Sequence, residues 1–142
     1  MAAKDDQLAG FDLSNSALWG YMTRLSEAEI LGPGEILVDV ALAGHGTTPG
    51  ALVVTDKRVL HFHSSPFTRN DDLLEIPLSQ ITTIETSEER SPIRKRGVLL
   101  IRTGDLATSY ETRLDQIDGG ARRAEELCAA ILRERDLSER DK

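Results

Sequence analysis

Apolar and polar residues alternate through the middle of this chain and give way to helical spacing near both ends. Toward the start, Leu18, Met22 and Leu25 fall at i, i+4 and i+7, with Trp19 and Tyr21 alongside. That is one apolar stripe of an amphipathic helix. Ser14, Asn15 and Ser16 are candidate caps, Ser26 to Glu29 continues the pattern, and Gly32-Pro33-Gly34 stops it. A helix is predicted over 14–31, behind a mobile polar tail over 1–13.

From Glu35 the spacing changes to two. Ile36, Val38, Val40 and Leu42 share one face of a predicted strand, and Leu37, Asp39 and Ala41 the other. Gly44 to Gly50 is a loop by composition. Gly50 to Phe62 reads as a hairpin with a tight turn at Thr55-Asp56-Lys57, because branched residues suit a pleated surface and Asp tolerates turn geometry. In its second strand Leu60 and Phe62 are expected to face the core, with His61 and His63 on the outward face. After a loop over 64–70, Leu74, Ile76 and Leu78 alternate, and Pro77 marks a strand end or an edge. Gln80 to Thr86 is another strand, where the opposite parity of Ile81 and Ile84 predicts a bulge or a start after Ile81. Ser87 to Arg96 reads as a charged loop. Val98 to Arg102 is a central strand, Thr103 to Leu106 a turn, and Ala107 to Arg113 a further strand.

Helical spacing returns after Asp118-Gly119-Gly120. Ala124, Leu127, Cys128, Ile131 and Leu132 line one face, with Arg122, Arg123, Glu125 and Glu126 on the other and Asp118 as the expected cap. Residues 135–142 are expected to fray. The order helix, about seven strands, helix excludes a parallel sheet, because parallel neighbours need long crossovers. The predicted class is mainly β (α+β): a seven-stranded antiparallel sandwich or partly open barrel over 35–134, stoppered at one end by the C-terminal helix.

Composition narrows the function. With 39% hydrophobic and 29% charged residues the chain is ordinary for a globular domain. No apolar run approaches the length that spans a bilayer, and the first residues lack the apolar core of a signal peptide, so a cytoplasmic protein is expected. The net charge of −7 opposes nucleic-acid binding. Cys128, the one cysteine, excludes an internal disulfide and a multi-cysteine zinc site.

Leu52-Val53-Val54-Thr55-Asp56-Lys57-Arg58-Val59-Leu60, then Glu75-Ile76-Pro77-Leu78-Ser79-Gln80-Ile81, then Gly97-Val98-Leu99-Leu100-Ile101, then a closing helix over Ala121 to Arg133, resembles a bacterial pleckstrin-homology-like domain. The Thr-Asp-Lys-Arg hairpin followed by the Pro-Leu-x-x-Ile step carries most of the likeness, which covers Glu35 to Arg133. Leu31 to Glu35, with the helix before it, is similar to bacterial members with an N-terminal helix. Eukaryotic members usually place a Trp in the closing helix. Here Leu127 and Cys128 occupy that region and the only Trp is Trp19, which points away from the lipid-binding branch. The resemblance implies a non-catalytic interaction module with no fixed ligand.

The candidate chemistry is sparse. The usual phosphoinositide loop would be Gly44 to Gly50, which holds no Lys or Arg. The one basic cluster is Arg90, Arg94, Lys95 and Arg96, beside Glu88 and Glu89, a candidate contact for phosphate or anionic lipid. Four basic residues near a membrane are worth about 4 kcal/mol, which alone is about millimolar binding. His61 and His63 are too few ligands for zinc. Cys128, on an apolar face, is expected to be buried and inert. No nucleophile–base set or phosphate loop is present, so no enzyme activity, cofactor, metal or small-molecule substrate is expected. Trp19, Tyr21 and Met22, on one helix in a chain of six aromatics, are either packing against the chain's own barrel or a surface for a protein partner or a second copy. Exposed strand edges offer a second such surface.

Overall fold

The computed structural model describes residues 16–45, 49–64, 71–90, 92, 95–104, 108–114 and 120–140. The expected caps Ser14, Asn15 and Asp118 lie outside them. Helix α1 spans Ser16–Glu27. Strands follow at β1 Leu37–Leu42, β2 Gly44–His45, β3 Ala51–Thr55, β4 Arg58–Ser64 and β5 Asp71–Pro77. A 3₁₀ turn over Leu78–Gln80 leads to β6 Ile81–Arg90, β7 Lys95–Thr103 and β8 Thr108–Leu114, and α2 closes the chain at Gly120–Arg140.

Two four-stranded sheets form, β1-β3-β4-β5 and β2-β8-β7-β6, with every neighbouring pair antiparallel. The segment 37–45 is in effect one strand that changes sheet at Ala43, whose N–H donates to Gly50 O at 3.0 Å. It closes one corner. At the other corner β5 and β6 do not pair with each other, which gives the partly open seven-stranded sandwich that the alternation implied.

The open side is filled by α2. Ala124, Leu127 and Ile131 are buried with Leu52, Val54, Leu78, Leu99 and Ile101 in one apolar cluster. The helix runs to Arg140, into the 135–142 stretch expected to fray. Its polar side supplies the reason. Near its start Arg123 forks onto both Asp39 oxygens and donates to Val40 O at 2.7 Å. Near its end Arg135 Nη1 donates to the carbonyls of Ile81 and Thr82 at 3.3 and 3.2 Å. Charge-assisted bonds of this kind hold a helix whose terminal turns bury little.

A second core lies on the outer face of the first sheet. Leu18, Met22 and Leu25 of α1 are buried against Leu37, Val40, Ala51, Val53, Leu60 and Phe62. All of β3 is therefore buried, with Leu52 and Val54 facing the barrel and Ala51 and Val53 facing α1. This corrects the orientation expected for β4: Leu60 and Phe62 point out into α1, and Val59 points into the barrel. Parity identifies which residues share a face but not which face lies inside. A register shift between Leu37 and Asp39 also breaks the alternation expected for β1, and leaves Ile36 exposed.

α1 ends at Glu27, earlier than the apolar pattern implied. Glu29 adopts φ 54°, its N–H donates to Ser26 O at 3.1 Å, and Ile30 N–H donates to Leu25 O at 3.3 Å. This is a Schellman C-cap with glutamate where glycine is usual. The bulge at Ile81 is present as a register shift between Ile81 and Thr83. The predicted loop over 87–96 is instead mostly strand, with Ser87 opposite Val98, Glu89 opposite Arg96 and Arg90 opposite Lys95. A ladder of backbone bonds does not need apolar side chains.

Candidate functional site

His61, expected to face solvent, is only 5% exposed. It shares a face with Val59 and so lies at the rim of the barrel interior. Its Nε2 is 2.8 Å from Ala43 O, at the point where 37–45 changes sheet. A carbonyl only accepts, so Nε2 carries the proton and Nδ1 is left as an acceptor. Gly50 makes this possible. A Cβ there would stand 2.4 Å from Phe62 O and 2.9 Å from His61 Cε1, so no side chain fits. Burial pushes the His61 pKa down, the bond to Ala43 O opposes this, and the nearby His45 and His63 push it further down. The ring is neutral at pH 7.

The chain's three histidines gather here. The His45 and His61 ring centroids are 5.7 Å apart, and His63 lies 5.8 Å from Tyr21 on α1. Beside them is a cleft of about 200 Å³ lined by His45, His61, Asp72, Leu73 and Leu74, drawn from β2, β4 and β5. Among the described residues no group of three His, Cys, Asp or Glu could hold a metal ion.

The most polar buried cluster is elsewhere. Glu35 accepts hydrogen bonds from Gly32 N–H at 2.9 Å, Thr55 Oγ1 at 2.7 Å, and Arg58 Nε and Nη2 at 2.8 Å each. Thr55 Oγ1 accepts in turn from the N–H groups of Lys57 and Arg58, and Arg58 Nη2 also donates to Ile30 O at 2.7 Å. Burial alone would raise the Glu35 pKa, but the bonds from Arg58, Thr55 and Gly32 overcome it and hold the carboxyl at about 2. A carboxylate that stays ionised at pH 7, with its oxygens occupied by four donors, is no general base. The cluster is a buckle that ties the segment after α1 to the β3–β4 turn. The Thr-Asp-Lys-Arg motif thus acts through Thr55 and Arg58 on Glu35, a pairing across 20 and 23 residues that no local pattern reveals.

The remaining candidates are dispersed. Arg90, Lys95 and Arg96 stand in the backbone ladder at the far end of the β6–β7 hairpin, with Arg94 outside the described residues. Met22 is fully buried in the second core, Tyr21 is half-buried, and Trp19 is 53% exposed. Of the three residues suggested for partner contact, Met22 is committed to the chain's own barrel. Trp19 alone is largely open, because it falls off the stripe formed by Leu18, Met22 and Leu25. Cys128 is half-buried at the edge of the main core, and burial pushes its thiol pKa up, the opposite of a reactive cysteine. No helix among the described residues is long and apolar enough to cross a membrane.

A family model described as a bacterial PH domain matches residues 27–118. Among solved structures, the chain is similar to a pleckstrin homology domain from Shewanella amazonensis, with 16% identity, a TM-score of 0.54, and 81% of this chain and 98% of that one covered. The hSac2 domain of the human phosphoinositide phosphatase Sac2 is similar at 10% identity and a TM-score of 0.60, covering 88% and 85%. The Vps36 N-terminal PH domain is similar at 16% identity and a TM-score of 0.50, covering 72% and 83%. At such identities the likeness is one of fold. No curated protein matches the sequence.

Proposed function

This chain belongs to the bacterial PH domain family, and we propose that it is a non-catalytic interaction module that binds a protein partner through an open strand edge. The observation that carries this reading is β5. It pairs with β4 along one side over all seven residues, and its other side pairs with no described strand. Leu73 on it is 43% exposed. Such an edge offers unpaired backbone groups to an extended segment of another chain. The exposed Trp19 on α1 adds a second surface, through which the module either holds the partner or associates with its own copy. The reading places the protein in the cytoplasm.

A photo-reactive residue introduced at position 73, in living bacterial cells, tests the edge. It should cross-link to a defined protein, whereas the same residue at the exposed position 125 of α2 should not. Equal labelling from both positions would remove the edge reading. Light scattering on the full chain and on its Trp19→Ala variant tests self-association through α1, which requires a larger species only in the first.

A second reading is peripheral binding to anionic lipid. It is favoured by the register that sets Arg90 opposite Lys95, with Arg96 next along β7. The net charge of −7 weighs against it. Its test is co-sedimentation with phosphatidylserine vesicles. Salt-sensitive binding that disappears in the triple variant Arg94→Glu, Lys95→Glu, Arg96→Glu supports it, and absence of binding by the parent chain excludes it.

A further inference from the structure

The cleft beside the histidines and the open strand edge are one place. Asp72, Leu73 and Leu74, which form one wall of the cleft, are the second to fourth residues of β5. A segment added to β5 would run along the mouth of this cleft, and alternate side chains of an added strand point into whatever lies on that face.

The chemistry of the cleft selects what enters. Asp72 is exposed and brings a carboxylate. His61 is fixed with Nε2 donating to Ala43 O, so its Nδ1 is an acceptor. The His45 ring also lines the cleft, and Leu74, opposite His61 in the β4–β5 register, gives it an apolar side. Acceptors and a negative charge at the mouth, with an apolar wall, suit a side chain that has an alkyl stem and a cationic head. They oppose a carboxylate or phosphate.

The same strand argues against a second copy as the occupant. Antiparallel pairing of two β5 edges about a two-fold at Leu73 would set Asp71 of one copy opposite Glu75 of the other. Like charges directly opposite are destabilising. A basic segment avoids that conflict, and the chain's net charge of −7 favours its approach.

We propose that the His45–His61–Asp72 cleft is the anchor pocket for a Lys or Arg side chain on an extended, basic segment of a partner protein that adds to the β5 edge. The proposal rests on the strand-edge reading above and specifies its partner.

Extended heptapeptide mixtures, alternating Val with random residues and fixed only at the centre as Arg, Lys, norleucine or Glu, serve as probes. They are titrated into the ¹⁵N-labelled full chain and followed by amide and histidine ring signals. The Arg and Lys mixtures should shift the amides of Asp72 to Glu75 and the His61 ring at concentrations at least tenfold lower than the Glu mixture. Asp72→Lys, at an exposed position, should invert that order without altering the signals of the α2 core. Shifts of β5 amides that are equal for all four mixtures and indifferent to Asp72→Lys would overturn the anchor pocket while leaving strand addition in place. Absence of any β5 shift with every mixture would overturn strand addition and the pocket together. Glu preferred over Arg would overturn the pocket's assigned charge.

Discussion

Replacing Glu35 with Gln gives the sharpest test of the buckle. The side chain keeps its shape and loses its charge. In the folded chain the Glu35 carboxyl is lowered from 4.5 to about 2. At 1.36 kcal/mol per unit, that difference amounts to about 3 kcal/mol of stability. The group's folded pKa is depressed, so this stability is fully present above pH 4.5 and is lost as pH falls from 4.5 toward 2. Glu35→Gln should therefore unfold with about 3 kcal/mol less stability at pH 7. The gap between parent and variant should narrow through pH 4, 3 and 2.5, because the unfolded carboxyl takes up its proton first and the folded state's advantage in holding it ionised is lost. Urea unfolding followed by far-ultraviolet circular dichroism reads it directly. A gap that stays constant from pH 7 to 2.5, or one below 1 kcal/mol at pH 7, would refute the assignment of Glu35 as the ionised centre of the buckle.

Three further outcomes follow from the geometry. Glu29→Gly should raise stability by about 1 kcal/mol in thermal unfolding, since a left-handed φ of 54° disfavours any residue with a Cβ; a lower midpoint would count against the capping geometry. Gly50→Ala should cost about 3 kcal/mol and disturb the His61 ring signals, because its Cβ meets Phe62 O at 2.4 Å. Met22→Ala should cost about 3 kcal/mol and Trp19→Ala less than about 0.5, as the first is fully buried under α1 and the second is exposed; equal costs would mean that α1 does not dock as described.

The family resemblance was carried by short strings, and each has a physical part in the fold. The alternation from Leu52 to Val54 and from Val59 to Phe62 required a hairpin with two differently lined faces, and the spacing of Ala124, Leu127 and Ile131 required a helix with one buried stripe. Both are local consequences of covalent geometry and can be read along a chain. The bulge near Ile81 was legible for the same reason, since two apolar residues of opposite parity reach one face of a strand only when an extra residue intervenes. The candidate site was far less legible. Nothing around His61 announces burial, because the residues that enclose it are Ala43 and Gly50, a carbonyl and a missing side chain. Asp72 carries no signal in a run of polar residues.

The sequence by itself determined most of the helices and strands, though not the strand character of 87–96, that the strands are antiparallel, and that a helix caps them. Tertiary structure alone decided which face of the first sheet is inside, since α1 lies across its outer surface and makes both faces apolar. It also decided that Glu35, Thr55 and Arg58 meet, that Arg123 and Arg135 pin α2, and that His45 and His61 border a side of β5 that pairs with no described strand. Periodicity is set by neighbours along the chain and is written in it. A contact between residues far apart in the chain, such as Asp39 with Arg123, depends on how the sheets close, and no single segment carries that information.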